Sequence, residues 1–355
     1  MKLKTLLLMA SILTGLNACA QPHSAVLDVS EFEKLIQTDS KLPLVDVRTP
    51  EEFAQGHIPG AINIDYKAPD FLDNMRKHFP DDKELAIYCR SGHRSSEAAS
   101  LLSPYYSVDD LGGGILAWQG ALLPLTDGSC DLYVTPGGKE VKIEALIHAS
   151  LRISFDGKEI EIDPVGQLGD RSTDYAAFPK ADLILVTHEH HDHLDPEAIK
   201  TLSKSDTTVI ANPNSAAILG YGEVMRNGDV RELGDGITVE AVAAYNTSKD
   251  KLQFHPKGRD NGYVLTLDGL RIYIAGDTEP IPEMKNLKDI DIAFLPCNQP
   301  YTMTPEQLIT AAETIRPRVV YPYHYGTTDL ASIAPALAPL GIYVRICPFD
   351  PGSPK

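Results

Sequence analysis

The stretch Thr187-His188-Glu189-His190-His191-Asp192-His193 directly follows an apolar run at residues 183–186. Side chains that alternate along an extended loop can direct two histidines, one residue apart, at one metal ion, while the aspartate and the last histidine face a second. Imidazole and carboxylate together suit zinc, iron or manganese. The stretch therefore predicts a site for two divalent metal ions, with zinc expected first and manganese or iron as alternatives. The predicted ligands are His188, His190, Asp192 and His193.

Two further segments place ligand-type residues just after apolar runs. Gly276-Asp277-Thr278 follows residues 271–275, and His324 follows residues 319–321. A carboxylate between two cations can bridge them, so Asp277 is the predicted bridge. His324 is predicted to supply the remaining imidazole of the second metal. His191 falls outside this order of ligands, and we expect it at the surface or behind the ligands.

Short β-type runs surround these ligands and predict the strands of one domain. They lie at residues 141–147, 151–155, 158–162, 183–186, 271–275, 292–295 and 319–321. Ile147-His148-Ala149-Ser150 precedes the second run, and Ile162-Asp163-Pro164 ends the third.

Together with the histidine-rich stretch, these segments resemble the metallo-β-lactamase superfamily over about residues 131 to 350. Within it they are most similar to the branch of ascorbate-6-phosphate lactonase-like and N-acyl-phosphatidylethanolamine phospholipase D-like proteins. The resemblance implies an αββα sandwich with metals at one edge, and hydrolysis of an ester, a lactone or a phosphodiester. It also implies that His148 and Asp163 position the site rather than bind metal.

The position that should supply the third imidazole to the first metal departs from the pattern of that superfamily. Counted from Gly262-Tyr263, the usual histidine position falls near Asn246, and asparagine is a weak ligand. His255 lies in the same loop and is the other candidate. The sequence leaves these two alternatives open.

We expect the metals to lower the pKa of a shared water, from 15.7 in bulk to roughly 7, so that hydroxide attacks the substrate. Asp192 is the candidate catalytic residue of this domain. Tyr301, Tyr323 and Lys257 are candidates for orienting a small-molecule substrate.

An earlier block of the chain alternates strand and helix patterns. Residues 42–47 and 85–89 are typical of buried strands, and residues 30–37 and 95–102 are typical of helices. This alternation predicts a parallel α/β sheet. A glycine- and proline-rich stretch at 120–139 separates the two blocks, and we place the boundary near residue 130.

Cys89-Arg90-Ser91-Gly92-His93-Arg94 joins the second predicted strand to a helix. Backbone N–H groups of such a loop and the helix N-terminus hold an anion, and Arg90, His93 and Arg94 add positive charge. A thiolate held there is a nucleophile. The sequence therefore predicts Cys89 as a catalytic residue, with an anion- and substrate-binding loop formed by Arg90, Ser91, Gly92, His93 and Arg94.

This loop resembles the active-site loop of rhodanese-type sulfurtransferases, and the likeness extends over residues 44–48, 51–53, 56–61 and 113–118. The resemblance covers about residues 26–125 and implies a parallel sheet flanked by helices. It also implies that Cys89 takes a sulfane sulfur as a persulfide and passes it to a thiol acceptor. The loop has six residues, whereas related dual-specificity phosphatases use a longer loop to admit phosphate.

At 355 residues the chain is long enough for two domains, and its net charge of -17 argues against nucleic acid as a partner. Lys2, Lys4, an apolar run at 6–16 and Leu16-Asn17-Ala18-Cys19 resemble a bacterial lipoprotein signal. The resemblance implies lipidation of Cys19 and anchoring at the cell envelope, in the outer membrane facing the periplasm or at the cell surface, with no other membrane contact. The predicted segments are a signal peptide at 1–18, a tether at 19–24, a rhodanese-like domain at 25–125 and a metallo-β-lactamase-fold domain at 131–355.

Two alternative functions stay open at this point. A sulfurtransferase joined to this metal fold is similar to persulfide dioxygenases, although those enzymes usually place the metal domain first. The other alternative is a hydrolase regulated by a rhodanese-like domain that senses sulfane sulfur without turnover.

Overall fold

The computed structural model describes residues 24–79 and 84–349 of the chain. The predicted signal peptide, Cys19 and all of the tether except Ser24 therefore lie outside the described residues. In the described part, a parallel sheet with flanking helices is followed by two sheets with helices outside them, which is the fold class that the sequence predicts. None of the helices in this part combines the length and the apolar content that crossing a membrane requires.

The N-terminal domain is built on a sheet of five parallel strands. Capping boxes at Asp28 with Glu31 and at Thr49 with Glu52 fix the starts of the first two helices. The strands are β1 (Ser24–Leu27), β2 (Leu44–Asp46), β3 (Ile62–Asn63), β4 (Glu84–Tyr88) and β5 (Ser107–Leu111), in the spatial order β1-β5-β4-β2-β3. The helices are α1 (Val29–Thr38), α2 (Pro50–Ala54), α3 (Phe71–His78), α4 (His93–Leu102) and α5 (Gly114–Gly120).

The first sheet of the C-terminal domain has eight strands, and a small hairpin lies beside it. In chain order the strands are β6 (Leu125–Thr126), β7 (Asp131–Val134), β8 (Glu140–Ala145), β9 (Leu151–Phe155), β10 (Lys158–Ile162), the hairpin strands β11 (Gln167–Leu168) and β12 (Arg171–Ser172), then β13 (Leu183–Val186), β14 (Thr208–Ala211) and β15 (Glu223–Val224). Strands β6 to β10 pair antiparallel in sequence, whereas β10, β13, β14 and β15 pair in parallel.

The second sheet has seven strands, and β19 to β22 are parallel to one another. Its strands are β16 (Val230–Gly234), β17 (Ile237–Ala244), β18 (Asp260–Leu267), β19 (Leu270–Ile274), β20 (Ile292–Pro296), β21 (Val319–Tyr323) and β22 (Tyr343–Val344). The helices of this domain are α6 (Pro196–Leu202), α7 (Pro213–Leu219), α8 (Pro305–Ile315) and α9 (Ile333–Leu337), with 3-10 turns at Tyr175–Ala177, Pro282–Asn286 and Ala338–Leu340.

Apolar side chains from both sheets of the C-terminal domain form one buried cluster. Ile153 and Ile160 contribute from the first sheet, and Leu265 and Ile272 contribute from the second. Strand β18 is buried along nearly its whole length, as expected for a strand inside such a sandwich. The packed sheets give the strand ends that carry the ligands a rigid base.

The N-terminal domain packs directly on the second sheet. Arg318, just before β21, donates from Nη1 and Nη2 to the carboxylate of Glu33 in α1 at 3.0 and 2.5 Å. The ring of Trp118 in α5 meets the ring of Tyr343 in β22 edge-on, with 5.5 Å between centroids. Residues of both domains belong to the same buried apolar cluster.

Candidate metal centre and cysteine loop

The candidate metal ligands lie just past the carboxyl ends of strands or in connections between strands. The histidine-rich stretch follows β13, Asp277 follows β19, and His324 follows β21 directly. His255 lies in the connection between β17 and β18. Side chains that are more than 100 residues apart in the chain are thereby brought to one edge of the sandwich.

One group of possible ligands consists of His188, His190 and His255, whose ligand atoms all lie within 4.8 Å of one another. Nε2 of His188 is 3.1 Å from Nδ1 of His190. Of the two positions that the sequence left open, the structure places His255 in this group. The Asn246 amide instead donates to the carbonyl oxygen of Tyr301 at 2.7 Å.

A second group contains Asp192, His193 and His324, together with His148. The carboxylate of Asp277 lies between the two groups, because its Oδ2 is 3.3 Å from Nε2 of both His255 and His324. Its Oδ1 is 3.3 Å from Nε2 of His193. All seven metal ligands suggested by the sequence therefore meet at one place.

Buried acceptors behind the histidines fix which ring nitrogen carries the proton. Nδ1 of His193 donates to Asp163 at 2.8 Å, and Nδ1 of His255 donates to Asp260 at 3.0 Å. The Thr187 hydroxyl donates to Asp163 at 2.7 Å, so it accepts from Nδ1 of the neighbouring His188 at 3.0 Å. Nε2 of these three histidines therefore faces the centre. The carboxylates around His193 and His255 outweigh burial and raise the pKa of both rings, so a metal ion would displace their Nε2 protons on binding.

The donor set fits divalent metal ions. Nε2 of His193, Oδ1 of Asp277 and both ring nitrogens of His324 are buried and have no hydrogen-bond partner among the described residues. Zn–N and Zn–O bonds of about 2.0–2.1 Å in a tetrahedron place neighbouring ligand atoms about 3.3 Å apart. The separations around Asp277 match this spacing. Buried polar atoms without partners are costly, and cations would satisfy them.

Burial and neighbouring charges set the protonation of the centre. Burial alone would raise the pKa of Asp277, but His324 and His193 hold that pKa well below its ordinary value, so the carboxylate is anionic. Burial and the charge of His193 lower the pKa of His188 well below its ordinary value, which leaves a neutral imidazole. Burial and His324 lower the pKa of His148 to about 4.

The backbone is constrained at three residues of the site. His148, Asp163 and His324 have φ angles of 59°, 45° and 48°. Non-glycine residues rarely occupy this left-handed region, and those that do are concentrated at active sites, where the surroundings hold them.

His148, which the sequence predicts to position the site rather than to bind metal, lies close to the ligands. Its Nε2 lies 3.0 Å from Oδ2 of Asp192, within the second group of ligands. The signal for it was its place in the Ile147-His148-Ala149-Ser150 turn between β8 and β9. The side chain of His191 is 89% exposed, as expected for a residue outside the ligand set.

The centre opens into a cavity of about 270 Å³. Besides the candidate ligands, the exposed His191 and two aromatic side chains, Phe254 and Tyr301, line it. Of the other candidates for orienting the substrate, Tyr323 is fully buried and donates to the carbonyl of Gly276, and Lys257 donates to Glu283.

Cys89 lies at the carboxyl end of β4, directly before the loop that leads into α4. The backbone N–H of Gly92 donates to its Sγ at 3.2 Å, and the hydroxyl of Ser95 donates at 3.4 Å. Gly114 has to be glycine here, because a Cβ would lie 2.4 Å from the carbonyl oxygen of Cys89. The loop therefore closes tightly around the sulfur, and Cys89 as a residue is 1% exposed.

The charged residues of this loop differ in their surroundings. Arg94 donates to both carboxylate oxygens of Glu52 at 2.7 Å and lowers the pKa of Glu52 to about 2. Arg90, Ser91 and His93 are exposed. The structure thus places Gly92 against the sulfur, while the guanidinium of Arg94 is occupied by an ion pair.

Comparison with known proteins agrees with both halves of the architecture. Residues 142–324 match the beta-lactamase superfamily domain, and residues 28–121 match the rhodanese-like domain. The chain belongs to the beta-lactamase superfamily. Its C-terminal part is a metal-dependent hydrolase domain of that superfamily, and the rhodanese-like domain precedes it in the chain.

Similar members of the superfamily match the C-terminal domain. A UPF0173 metal-dependent hydrolase of Geobacillus thermodenitrificans is 37% identical over 53% of this chain and 86% of its own length. A homologue of the same description from Thermococcus onnurineus is 33% identical over 53% and 85%. The crystal structure of the metallo hydrolase Igni18 from Ignicoccus hospitalis is 27% identical, covers 58% of this chain and 94% of its own, and superposes with a TM-score of 0.51.

Proposed function

We propose that the C-terminal domain hydrolyses an ester, lactone or phosphodiester bond of a small molecule. Two divalent metal ions would bind in the site around Asp277, and zinc is the expected metal, with manganese or iron as alternatives. The observation that carries this proposal is the position of the Asp277 carboxylate, which lies 3.3 Å from histidine nitrogens of both ligand groups. Metal ions bound there supply an acidified water and an electrostatic clamp for the developing negative charge.

The side chains of the protein prepare the site for this chemistry. Asp163 and Asp260 keep the protons of His193 and His255 on Nδ1, away from the reacting groups. Asp192, which lines the cavity, accepts from Nε2 of His148 at 3.0 Å, and this bond holds its carboxylate in place. The cavity volume of about 270 Å³ supports a small molecule, or a small part of a larger one, as the group bound at the centre.

Metal analysis combined with an activity screen tests the hydrolase proposal. We expect about two zinc or manganese ions per chain and turnover of at least one ester, lactone or phosphodiester, without oxygen uptake on glutathione persulfide. Asp277→Asn should abolish turnover, whereas Asp156→Asn, at an exposed aspartate paired with Lys139, should keep it. Iron together with oxygen uptake would instead support a persulfide dioxygenase, and full activity of Asp277→Asn would contradict the proposal.

We also propose that the rhodanese-like domain transfers sulfane sulfur from a donor to a thiol acceptor. The Cys89 thiolate would attack the outer sulfur of thiosulfate, form a persulfide and release sulfite. A thiol or cyanide would then take the outer sulfur and return the thiolate. The N–H of Gly92 and the hydroxyl of Ser95, both directed at Sγ, support this proposal because they stabilise negative charge on sulfur.

Thiosulfate:cyanide transfer tests the second activity directly. Wild-type protein should form thiocyanate, Cys89→Ser should not, and Cys130→Ser should behave as wild type. An inactive wild-type protein that still takes up sulfane sulfur would favour the sensing alternative.

We infer from the sequence that the chain is anchored at the bacterial cell envelope through lipidated Cys19, facing the periplasm or the cell surface. Membrane fractionation tests this: wild-type protein should sediment with membranes, and Cys19→Ala should not. Equal distribution of the two proteins would overturn the inference.

A further inference from the structure

The cavity over the metal centre has one wall made of two aromatic rings. Phe254 and Tyr301 meet edge to face, with 5.1 Å between ring centroids. Tyr301 is 45% exposed and Phe254 is half-buried, so both present apolar surface toward the cavity that they line. A preformed aromatic wall of this kind binds apolar groups of a ligand.

Hydrogen bonds hold this wall in place from behind. The amide of Asn246 ties the carbonyl of Tyr301 to the loop that carries Phe254. The ammonium of Lys251 joins the same two loops, since it donates to the side chain of Gln299 at 3.0 Å and to the carbonyl of Thr302 at 3.3 Å. Asn246 thus contributes to the wall at the position where the sequence pattern expects a ligand.

The cations near the cavity are already paired. Lys251 lies 3.1 Å from Glu279, Lys257 lies 2.7 Å from Glu283, and Arg259 lies 2.6 Å from Asp260. Among the described residues that line the cavity, none is a lysine or an arginine. Binding sites for phosphate groups ordinarily provide such cations, and arginine forks in particular.

We propose that this cavity takes a neutral carboxylic ester or lactone whose apolar substituent packs against Phe254 and Tyr301, in preference to a phosphodiester. The inference rests on the proposed hydrolase function and narrows its substrate class. The bond to be hydrolysed would lie at the ligand groups, and the apolar substituent would extend along the aromatic wall toward the cavity mouth.

A series of p-nitrophenyl esters tests the inference on full-length, metal-loaded protein. We expect kcat/KM to be higher for the hexanoate than for the acetate, and both to exceed that for bis(p-nitrophenyl) phosphate. In Tyr301→Ala the hexanoate-to-acetate ratio should fall by about tenfold, mainly through KM, because part of the apolar contact is lost. Tyr301→Phe should keep the ratio, and Tyr221→Ala, which removes an exposed tyrosine outside the cavity, is the matched control.

Binding of the neutral ketone 4-phenyl-2-butanone, followed by calorimetry, gives a readout that does not depend on turnover. Wild type, Tyr301→Phe and Tyr221→Ala should bind it with a negative heat-capacity change, and Tyr301→Ala should bind it about tenfold more weakly. Ketone binding without hydrolysis of any ester, lactone or phosphodiester would contradict the proposed hydrolase function but support the pocket. A preference for the phosphodiester, or equal losses on all esters in Tyr301→Ala, would overturn the inference.

Discussion

His255 provides the third ring nitrogen of the first ligand group. Asn246 is not part of that group, because its amide donates to the carbonyl of Tyr301. We expect His255→Ala to lower the affinity for the first metal by at least about 100-fold. Loss of a group that only hydrogen-bonds to a ligand lowers metal affinity by about 10–100-fold, and loss of the ligand itself should cost more. Asn246→Ala should keep full metal content, since its amide serves the carbonyl of Tyr301. Elemental analysis after dialysis against a weak chelator measures both, with His191→Ala as the control. Equal metal loss in the two test variants would contradict this assignment.

The sequence could not choose between these two residues for a physical reason. Spacing along the chain gives the position of a ligand only when the connecting loop has a fixed length and path. Here residues 245–259 form a loop without regular secondary structure, in which the backbone N–H of Asn246 donates to the carbonyl of His255 at 2.8 Å. That contact brings two residues, nine positions apart, to the same place. The ligands directly after strands, such as Asp277 and His324, were predictable because strand ends fix their positions.

Glu161 is a buried carboxyl group whose side-chain oxygens have no hydrogen-bond partner among the described residues. Burial raises its pKa to about 8, and the nearest cation, Arg152, lies 3.8 Å away and only partly opposes the shift. Because the native pKa lies above the unfolded value of 4.5, this group stabilises the fold at low pH. That stabilisation is lost as the pH rises from about 4.5 through 8.

Glu161→Gln should remove this pH dependence, because an amide is neutral throughout. Between pH 5 and 8.5, the free energy of unfolding of wild type should fall relative to that of the variant by a few kcal/mol, since one pKa unit corresponds to about 1.4 kcal/mol. Urea unfolding of metal-free wild type and metal-free Glu161→Gln at several pH values measures the difference. The two proteins have the same histidines, so the effect of histidine titration is the same in both and drops out of the difference. Parallel pH curves would show that Glu161 does not keep its proton in the native state.

Among elements, the ends of β10 and β13 are tied together by Asp163. Its carboxylate accepts from the N–H and the hydroxyl of Thr187, both at 2.7 Å, and from Nδ1 of His193. In Asp163→Asn the new amide N–H group would oppose the Nδ1–H of His193. We expect His193 to change tautomer, which moves its proton to Nε2 and removes the lone pair that faces the centre.

Metal affinity of Asp163→Asn should therefore fall about 10–100-fold, the usual cost of losing a partner behind a ligand. Competition with a coloured chelator measures the affinity. Asp156→Asn is a matched control, because Asp156 also has a left-handed φ, of 49°, but lies on the surface. Unchanged affinity in Asp163→Asn would mean that the carboxylate does not set the tautomer of His193.

Periodicity predicts the strands that lead to the ligands, but not the exact pairing of the strands. The runs at 151–155, 158–162 and 183–186 coincide with β9, β10 and β13, because continuous apolar or alternating patterns end at turn residues. The short strands β6 and β7 lie inside the glycine- and proline-rich stretch at 120–139. In that turn-rich sequence these two strands, of two and four residues, carry too little pattern to be recognised, whereas β13 is recognisable because its four residues are all apolar and buried.

The packing of one domain on the other is invisible in the sequence. Glu33 and Arg318 are 285 positions apart, and each would pass as an ordinary surface residue. In the structure Glu33 is 2% exposed and its charge is balanced by Arg318. The two domains therefore share both an apolar cluster and a buried ion pair, which predicts that they unfold together.

Trp118 is the single tryptophan of the chain and lies in this interface, fully buried against Tyr343. Its fluorescence and far-UV circular dichroism should follow the same denaturation curve. Arg318→Ala should lower the free energy of unfolding by about 3 kcal/mol, because the buried Glu33 carboxylate loses its charged partner and keeps only the amide of Gln37. Lys200→Ala, which breaks an exposed ion pair with Glu197, should cost less than about 1 kcal/mol. Separate fluorescence and dichroism transitions in the wild type would show that the domains unfold independently, because Trp118 would then report only the loss of the interface.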